Sequence, residues 1–170
     1  MAKSSETLEN RVKNLAEQEG KYLTFTLANE EYGIAILKVK EIIGMMPVTT
    51  IPRTPEFVKG VINLRGKVIP VIDLRLRFEM EAMDYTERTC IIVVEIDGPG
   101  GTVMVGIVVD SVSEVLSIKG GDIVDAPTFG IQLNTDYISG MAKTEEGVKI
   151  LLDIDLVMTA EEISILEKAG

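Results

Sequence analysis

The chain has 170 residues, a net charge of −10 and no histidine. Without imidazole, Ser-His and Cys-His nucleophile pairs, histidine phosphorylation and mixed Cys/His zinc sites are closed to it, and its negative field repels phosphate backbones and anionic lipid. Tryptophan is absent, which removes a stacking platform for single-stranded nucleic acid, and the apolar runs TCIIVVEI and TVMVGIVV stop well short of the roughly 18 residues a spanning helix needs.

Residues 1–20 interleave charges and lack the continuous apolar centre of a secretory signal. Leu8, Val12 and Leu15 stand at helical spacing, so a short amphipathic helix is expected over 5–19 as an N-terminal extension. KYLTFTLA then alternates as a strand, with Leu23, Phe25 and Leu27 on one face and Tyr22, Thr24 and Thr26 on the other. Asn29, Glu30 and Glu31 supply a turn, YGIAI resumes the alternation through Ile34 and Ile36, and LKVKEII suits a bend or one helical turn before another strand. In IPRTPEF, Thr54 ahead of Pro55 reads as the cap of a short helical turn at 55–58.

VINLRGKVIPVIDLR, residues 61–75, is a hairpin about Arg65 and Gly66. Alternation sets Ile62 and Leu64 against Val61 and Asn63, and Val68, Pro70, Ile72 and Leu74 against Ile69 and Val71. Both faces are largely apolar, whereas a small barrel buries one face of each strand. The second face therefore needs a neighbouring lobe or a partner protein. Pro70 lacks a ladder donor and suits an edge or a bulge. Arg65 at the tip is either a solvated turn residue or the partner of a carboxylate, in this chain or another.

Five further segments, 89–97, 102–110, 112–118, 136–142 and 148–156, are short, rich in branched residues and separated by turns, the pattern of a barrel or sandwich. GPGG at 98–101 joins two of them as a hairpin turn, and SIKGGDIVDAPTFGIQLNTD is a long connecting loop. TAEEISILEKAG opens with a capping box, Thr159 and Glu162, and reads as a terminal helix. About ten strands are expected, and no linker divides the chain, so any two lobes pack directly. Cys90, the single cysteine, sits among branched apolar residues and is read as structural; with no intrachain disulfide possible, the cytoplasm is the expected compartment.

Asp153 and Asp155 in LLDIDL resemble a paired-carboxylate site, but alternation places both opposite Leu152, Ile154 and Leu156 on a solvated face. A carboxylate-dependent enzyme or small-ligand barrel using Asp110, Asp153 or Asp155 would need a deep polar pocket and perturbed acids. No catalytic residue, metal site or cofactor is assigned.

EEYGIAILKVKEI, PEFVKGVINLRGKVIPVIDLRLRF and VGIVVDSVSEVL together closely resemble the CheW family of bacterial chemotaxis coupling proteins, over about residues 20–165. The resemblance implies an all-β fold with short terminal helices: two intertwined five-stranded SH3-like β-barrels packed together. The domain would span 21–157, with a change of lobe near 80–90 and exchanged strands, followed by a C-terminal helix at 158–170. It also implies a non-catalytic adaptor, cytoplasmic and recruited to membrane receptor arrays, joining the tips of methyl-accepting chemotaxis receptors to the regulatory domain of the histidine kinase CheA. Nucleic acid and direct membrane insertion play no part. Relatives of the same kind serve pilus-linked and other chemosensory pathways.

Carried over by motif, receptor contact falls on Val39, Glu41, Gly60 and Val115, with Ile34 and Ile36 chosen for adjacency, and kinase contact on the Arg65, Gly66, Lys67 tip. Val39 and Val115 read equally well as core packing, and Gly60 as a backbone requirement of its loop. An apolar groove between barrels would seat a helix by its hydrophobic face.

Overall fold

The computed structural model describes residues 20–98, 100–124, 137–145 and 147–169. The helix expected over 5–19 and most of the loop expected over 117–136 lie outside these residues. Among them, eleven strands form two sheets. The first contains β1 (Gly20–Leu27), β2 (Glu30–Ala35), β8 (Ser111–Ile118), β9 (Ile123–Val124), β10 (Ile138–Thr144) and β11 (Gly147–Leu152), in the order β8-β1-β2-β11-β10-β9. The second contains β3 (Val39–Gly44), β4 (Val58–Leu64), β5 (Lys67–Asp73), β6 (Cys90–Gly98) and β7 (Gly101–Val109), in the order β3-β6-β7-β5-β4.

The chain leaves the first sheet through a 3-10 turn at Ile36–Lys38 and returns to it at Asp110. Segment 80–90, where a change of lobe was expected, joins β5 to β6 within one sheet. Its turn signals and charges mark an exposed connection, and local sequence does not reveal which sheet the next strand joins.

Each sheet has its own interior and the two share a third. Ile62, Leu64, Ile69, Val71, Ile91, Val93 and Val108 fill the second sheet, and Tyr22, Ile118, Ile123, Ala142 and Leu151 fill the first. The largest cluster draws on both: Leu23, Phe25, Leu27 and Ile34 from the first sheet meet Val58, Ile72, Ile92, Val94, Val105 and Ile107 from the second. This explains the two-faced hairpin. Ile69 and Val71 point into their own barrel while Ile72 and Leu74 point at the other, so the neighbouring lobe covers most of the second apolar face. A register shift between Val58 and Gly60 turns Val58 to the shared core, although Ile62 and Leu64 face inward.

Pro70 is accommodated in an interior strand because the parallel pairing of β5 with β7 begins only at Val71, opposite Gly106. Up to that point β5 has a free edge on that side. The second barrel is closed by the segment after β3: Thr49 and Val61 exchange backbone hydrogen bonds of 2.8 and 2.9 Å.

Three local expectations are corrected. Residues 55–58 form a single turn closed by the Val58 N–H on Pro55 O at 3.0 Å, not a helical one. The strand expected to reach 156 ends at Leu152, where Asp153 caps a 3-10 turn at Ile154–Leu156, which leaves Leu156 exposed. Cys90 opens β6 only half-buried, where its branched apolar neighbours suggested an enclosed site, with its Sγ 3.2 Å from Arg88 O; it still packs against the shared core, and its strand is paired on both sides, with Gly44 and Val109.

Two short helices close the shared core. α1 (Leu74–Arg77) is capped by Asp73, which accepts from Arg75 N–H and Leu76 N–H. α2 (Ala160–Ala169) carries the expected capping box, Thr159 N–H on Glu162 Oε1 at 2.8 Å and Glu162 N–H on Thr159 Oγ1 at 3.1 Å. Arg77 ties the two together by donating to Val157 O at 2.7 Å and to Glu162 Oε1 at 3.3 Å.

The return crossing is held by a forked ion pair. Arg75, in α1 just after β5, donates to both oxygens of Asp110 at 2.7 and 2.5 Å, and Asp110 also accepts from Ala28 N–H in the β1–β2 turn at 2.9 Å. Burial alone would raise the Asp110 carboxyl, but the Arg75 bond, the Ala28 N–H and the Arg75 charge outweigh it and hold its pKa below the ordinary carboxylate range. A depressed folded-state pKa gives stability that is present above the unfolded value of about 3.9 and is lost as pH falls through the folded value. The stability gap between the wild type and Asp110→Asn is therefore expected to stay constant above about pH 5 and to narrow toward acid in urea titrations. A gap independent of pH would show that the ionised carboxylate is not what Arg75 requires.

Candidate functional site

The expected contact residues separate into three environments. Ile34 is fully buried in the shared core, and its β2 position between β1 and β11 leaves it no access to a partner; it is a packing residue. Val39 and Ile36 are half-buried against the same core at the outgoing crossing. Glu41 lies on β3, an edge of the second sheet, and Val115 is exposed on β8, an edge of the first. Gly60 is buried, with φ +141°, and its backbone abuts Thr49: a Cβ built there would stand 2.0 Å from Thr49 O. This accounts for the glycine by barrel closure alone.

The structure brings Glu41 together with the hairpin tip. Arg65 and Gly66 form a two-residue turn with φ of +51° and +87°, the left-handed pair of a type I′ hairpin, and Asn63 Oδ1 accepts from Gly66 N–H at 2.8 Å. From this turn the Arg65 guanidinium reaches across to Glu41 Oε1 at 2.6 Å. Of the two readings open from sequence, the arginine thus pairs with a carboxylate of its own chain. A left-handed backbone costs a side-chain-bearing residue about 1 kcal/mol, so asparagine or glycine would fit the turn better.

More charge pairs line the same edge. Lys40 meets Glu95 at 2.6 Å, and Lys38 meets Asp155 at 2.8 Å and Asp97 at 3.4 Å. Burial pulls the Lys38 pKa down, but bonds to Asp155 and Asp97 outweigh it and leave it raised. Asp155 also accepts from Asp97 N–H at 2.9 Å. The three acids of the enzymatic alternative are thus each engaged in holding backbone: Asp110 with Arg75 and Ala28, Asp153 as a cap, Asp155 with Lys38 and Asp97.

A feature missed in the sequence lies at the outgoing crossing. Gly20, Lys21, Tyr22, Ala35, Ile36, Leu37 and Lys38, with Ser139 and Leu152–Ile154, line a largely apolar groove of about 360 Å³. Leu37 at its mouth is 90% exposed. The only signal was the broken alternation of LKVKEII, which marks a bend but not which side chain it turns outward.

Two small barrels thus share a core and present an exposed charged tip, and the three carboxylates weighed as catalytic each hold backbone. A family model described as the CheW-like domain matches residues 21–162. The chain belongs to the CheW family of chemotaxis coupling proteins, and its fold is that of two SH3-like β-barrels. It is 46% identical over 149 residues to the chemotaxis protein CheW of Klebsiella aerogenes, covering 88% of this chain and 87% of that one. Identity to the CheW of Rhizobium meliloti is 33% over 153 residues, covering 90% and 96%. The crystal structure of the scaffolding protein TtCheW from Thermoanaerobacter tengcongensis superposes with a TM-score of 0.75 at 37% identity, covering 85% of this chain and 97% of that one.

Proposed function

We propose that this chain joins the cytoplasmic tips of methyl-accepting chemotaxis receptors to the regulatory domain of the histidine kinase CheA, and turns over no substrate of its own. It works in the cytoplasm at membrane receptor arrays. Receptor contact involves Val39, Glu41 and Val115, with Ile36 beside them, and kinase contact involves Arg65, Gly66 and Lys67.

The observation that carries this reading is the Glu41–Arg65 pair. It links a receptor-contact residue to the kinase-contact tip through an arginine held at φ +51°, a position where its backbone is disfavoured and its side chain therefore has a use. The pair is solvent-exposed, Arg65 by 72% and Glu41 by 30%, so its direct worth to folding is at most about 1 kcal/mol.

Arg65→Ala, and Arg65→Asn which suits the left-handed turn better, are accordingly expected to keep stability within about 1 kcal/mol of wild type while losing most receptor-dependent kinase activation. The assay mixes receptor, CheA and this chain with labelled ATP. Kinase output that is the same with and without the wild-type chain would refute coupling, and a large fall in melting temperature would make Arg65 structural.

A further inference from the structure

An irregularity in the β8 edge decides where Val115 points. Leu23 of β1 lies opposite Val115, but Phe25 lies opposite Val112, so Ser113 and Glu114 together face Thr24 alone. Two residues against one make a β-bulge. Residues opposite each other in an antiparallel ladder share a face. Val112, beside Phe25, packs against the shared core, whereas Leu116 and Ile118, beyond the slip, join Tyr22 inside the first sheet's own barrel. In an unbroken strand Val112, Leu116 and Ile118 would occupy one face and Val115 the other. The extra residue turns Leu116 and Ile118 into the barrel and brings Val115 round to the side of Leu23 and the shared core, exposed at the sheet edge.

Both bulge residues are tied down. Thr24 is fully buried, and its hydroxyl accepts from Glu114 N–H at 3.1 Å and donates to Glu114 O at 2.8 Å, so one side chain satisfies both backbone groups that the slip takes out of the ladder. Ser113 Oγ donates to Glu31 Oε1 at 3.4 Å, and Glu31 is held in turn by an ion pair with the buried Lys149 of β11. The β3 edge repeats the device. Val39 lies opposite Val94 and Glu41 opposite Val93, with Lys40 in excess. Val39 therefore faces the shared core, while Glu41 turns to the side of the second sheet's own interior and meets Arg65. On both edges the residues assigned to receptor contact stand beside a bulge.

We propose that Thr24 is a positioning residue for receptor contact: by pinning Glu114 it fixes the face on which Val115 meets the receptor tip, while being too deeply buried to touch the receptor itself. The inference rests on the reading of Val115 as a receptor-contact residue. Without the hydroxyl, Glu114 N–H and O lose their partners, a penalty that an edge strand relieves by fraying or slipping in register.

Two substitutions in the full chain separate the hydroxyl from the shape. Thr24→Val keeps the shape and removes the hydroxyl; Thr24→Ser keeps the hydroxyl. Thr24→Val is expected to speed amide exchange at Glu114 several-fold, with exchange in β6 and β7 unchanged, and to bind a receptor-tip fragment about three- to tenfold more weakly. Its affinity for CheA is expected to stay at the wild-type value, and Thr24→Ser to restore receptor affinity.

Val115→Ala supplies the second arm. It weakens receptor binding by itself, and if Thr24 acts through Val115, adding Thr24→Val to it causes no further loss. Additive losses, or wild-type receptor affinity in Thr24→Val, would overturn the positioning role. So would exchange that is unchanged at Glu114, or faster throughout both sheets, which would make Thr24 a purely structural residue. Receptor affinity untouched by Val115→Ala is a different failure: it would remove Val115 from the receptor surface, and with it the reading on which the positioning role rests.

Discussion

Ile72→Ala is expected to destabilise the protein by about 3 to 5 kcal/mol and to leave both sheets unfolding in a single transition. Ile72 is fully buried and lies in β5, inside the cluster that both sheets build. Its side chain meets the first sheet, whereas Ile69 and Val71 on the opposite face belong to the second sheet's own interior. Truncation therefore opens a cavity at the junction, where backbone hydrogen bonding on both sides resists collapse. The measurement is urea denaturation followed by circular dichroism and by amide resonances chosen from each sheet. Two separated midpoints would mean that the sheets are independent units in contact. A loss below about 1 kcal/mol would place Ile72 on a surface.

Gly60→Ala is expected to cost about 2 to 5 kcal/mol, the sum of a steric clash and a left-handed backbone. The new methyl group would stand 2.0 Å from Thr49 O and 2.7 Å from Thr49 C at a φ of +141°. Both contacts are with backbone, so no rotamer change relieves them. The segment after β3 must move, which breaks the paired hydrogen bonds between Thr49 and Val61 that close the second barrel. Any loss of receptor binding by this variant should then follow its loss of stability, and lowering the temperature should restore both together. A variant as stable as wild type that no longer binds receptor would make Gly60 a contact residue after all.

Much of the fold was legible because strand alternation has a period of two and needs only neighbours in sequence. Leu23, Phe25 and Leu27 share a buried face as the pattern requires, and the Thr159–Glu162 capping box forms where its spacing places it. The hairpin at 61–75 announced a second apolar surface and the need for something to cover it. Where alternation overreached, at Asp153 and Asp155, a side chain capped its own backbone and ended the strand, a competition that residue polarity alone does not decide.

The candidate site was less legible. Arg65 could be singled out as an arginine in a turn, but its partner Glu41 lies 24 residues away on another strand, and Arg75 finds Asp110 across 35 residues. Such pairs depend on barrel closure, which sets distances that no local window contains.

Composition and period alone established an all-β chain without imidazole chemistry, carrying more apolar strand surface than one barrel interior holds, because these properties belong to residue types and their immediate order. Only the tertiary structure decided that β1 and β2 join β8–β11 while β3–β7 stay together, that the surplus surface meets the other sheet, and that Leu37 faces solvent beside a groove. Sheet partners are chosen by long-range hydrogen bonding and shared burial, and those energies exist only once distant segments have met.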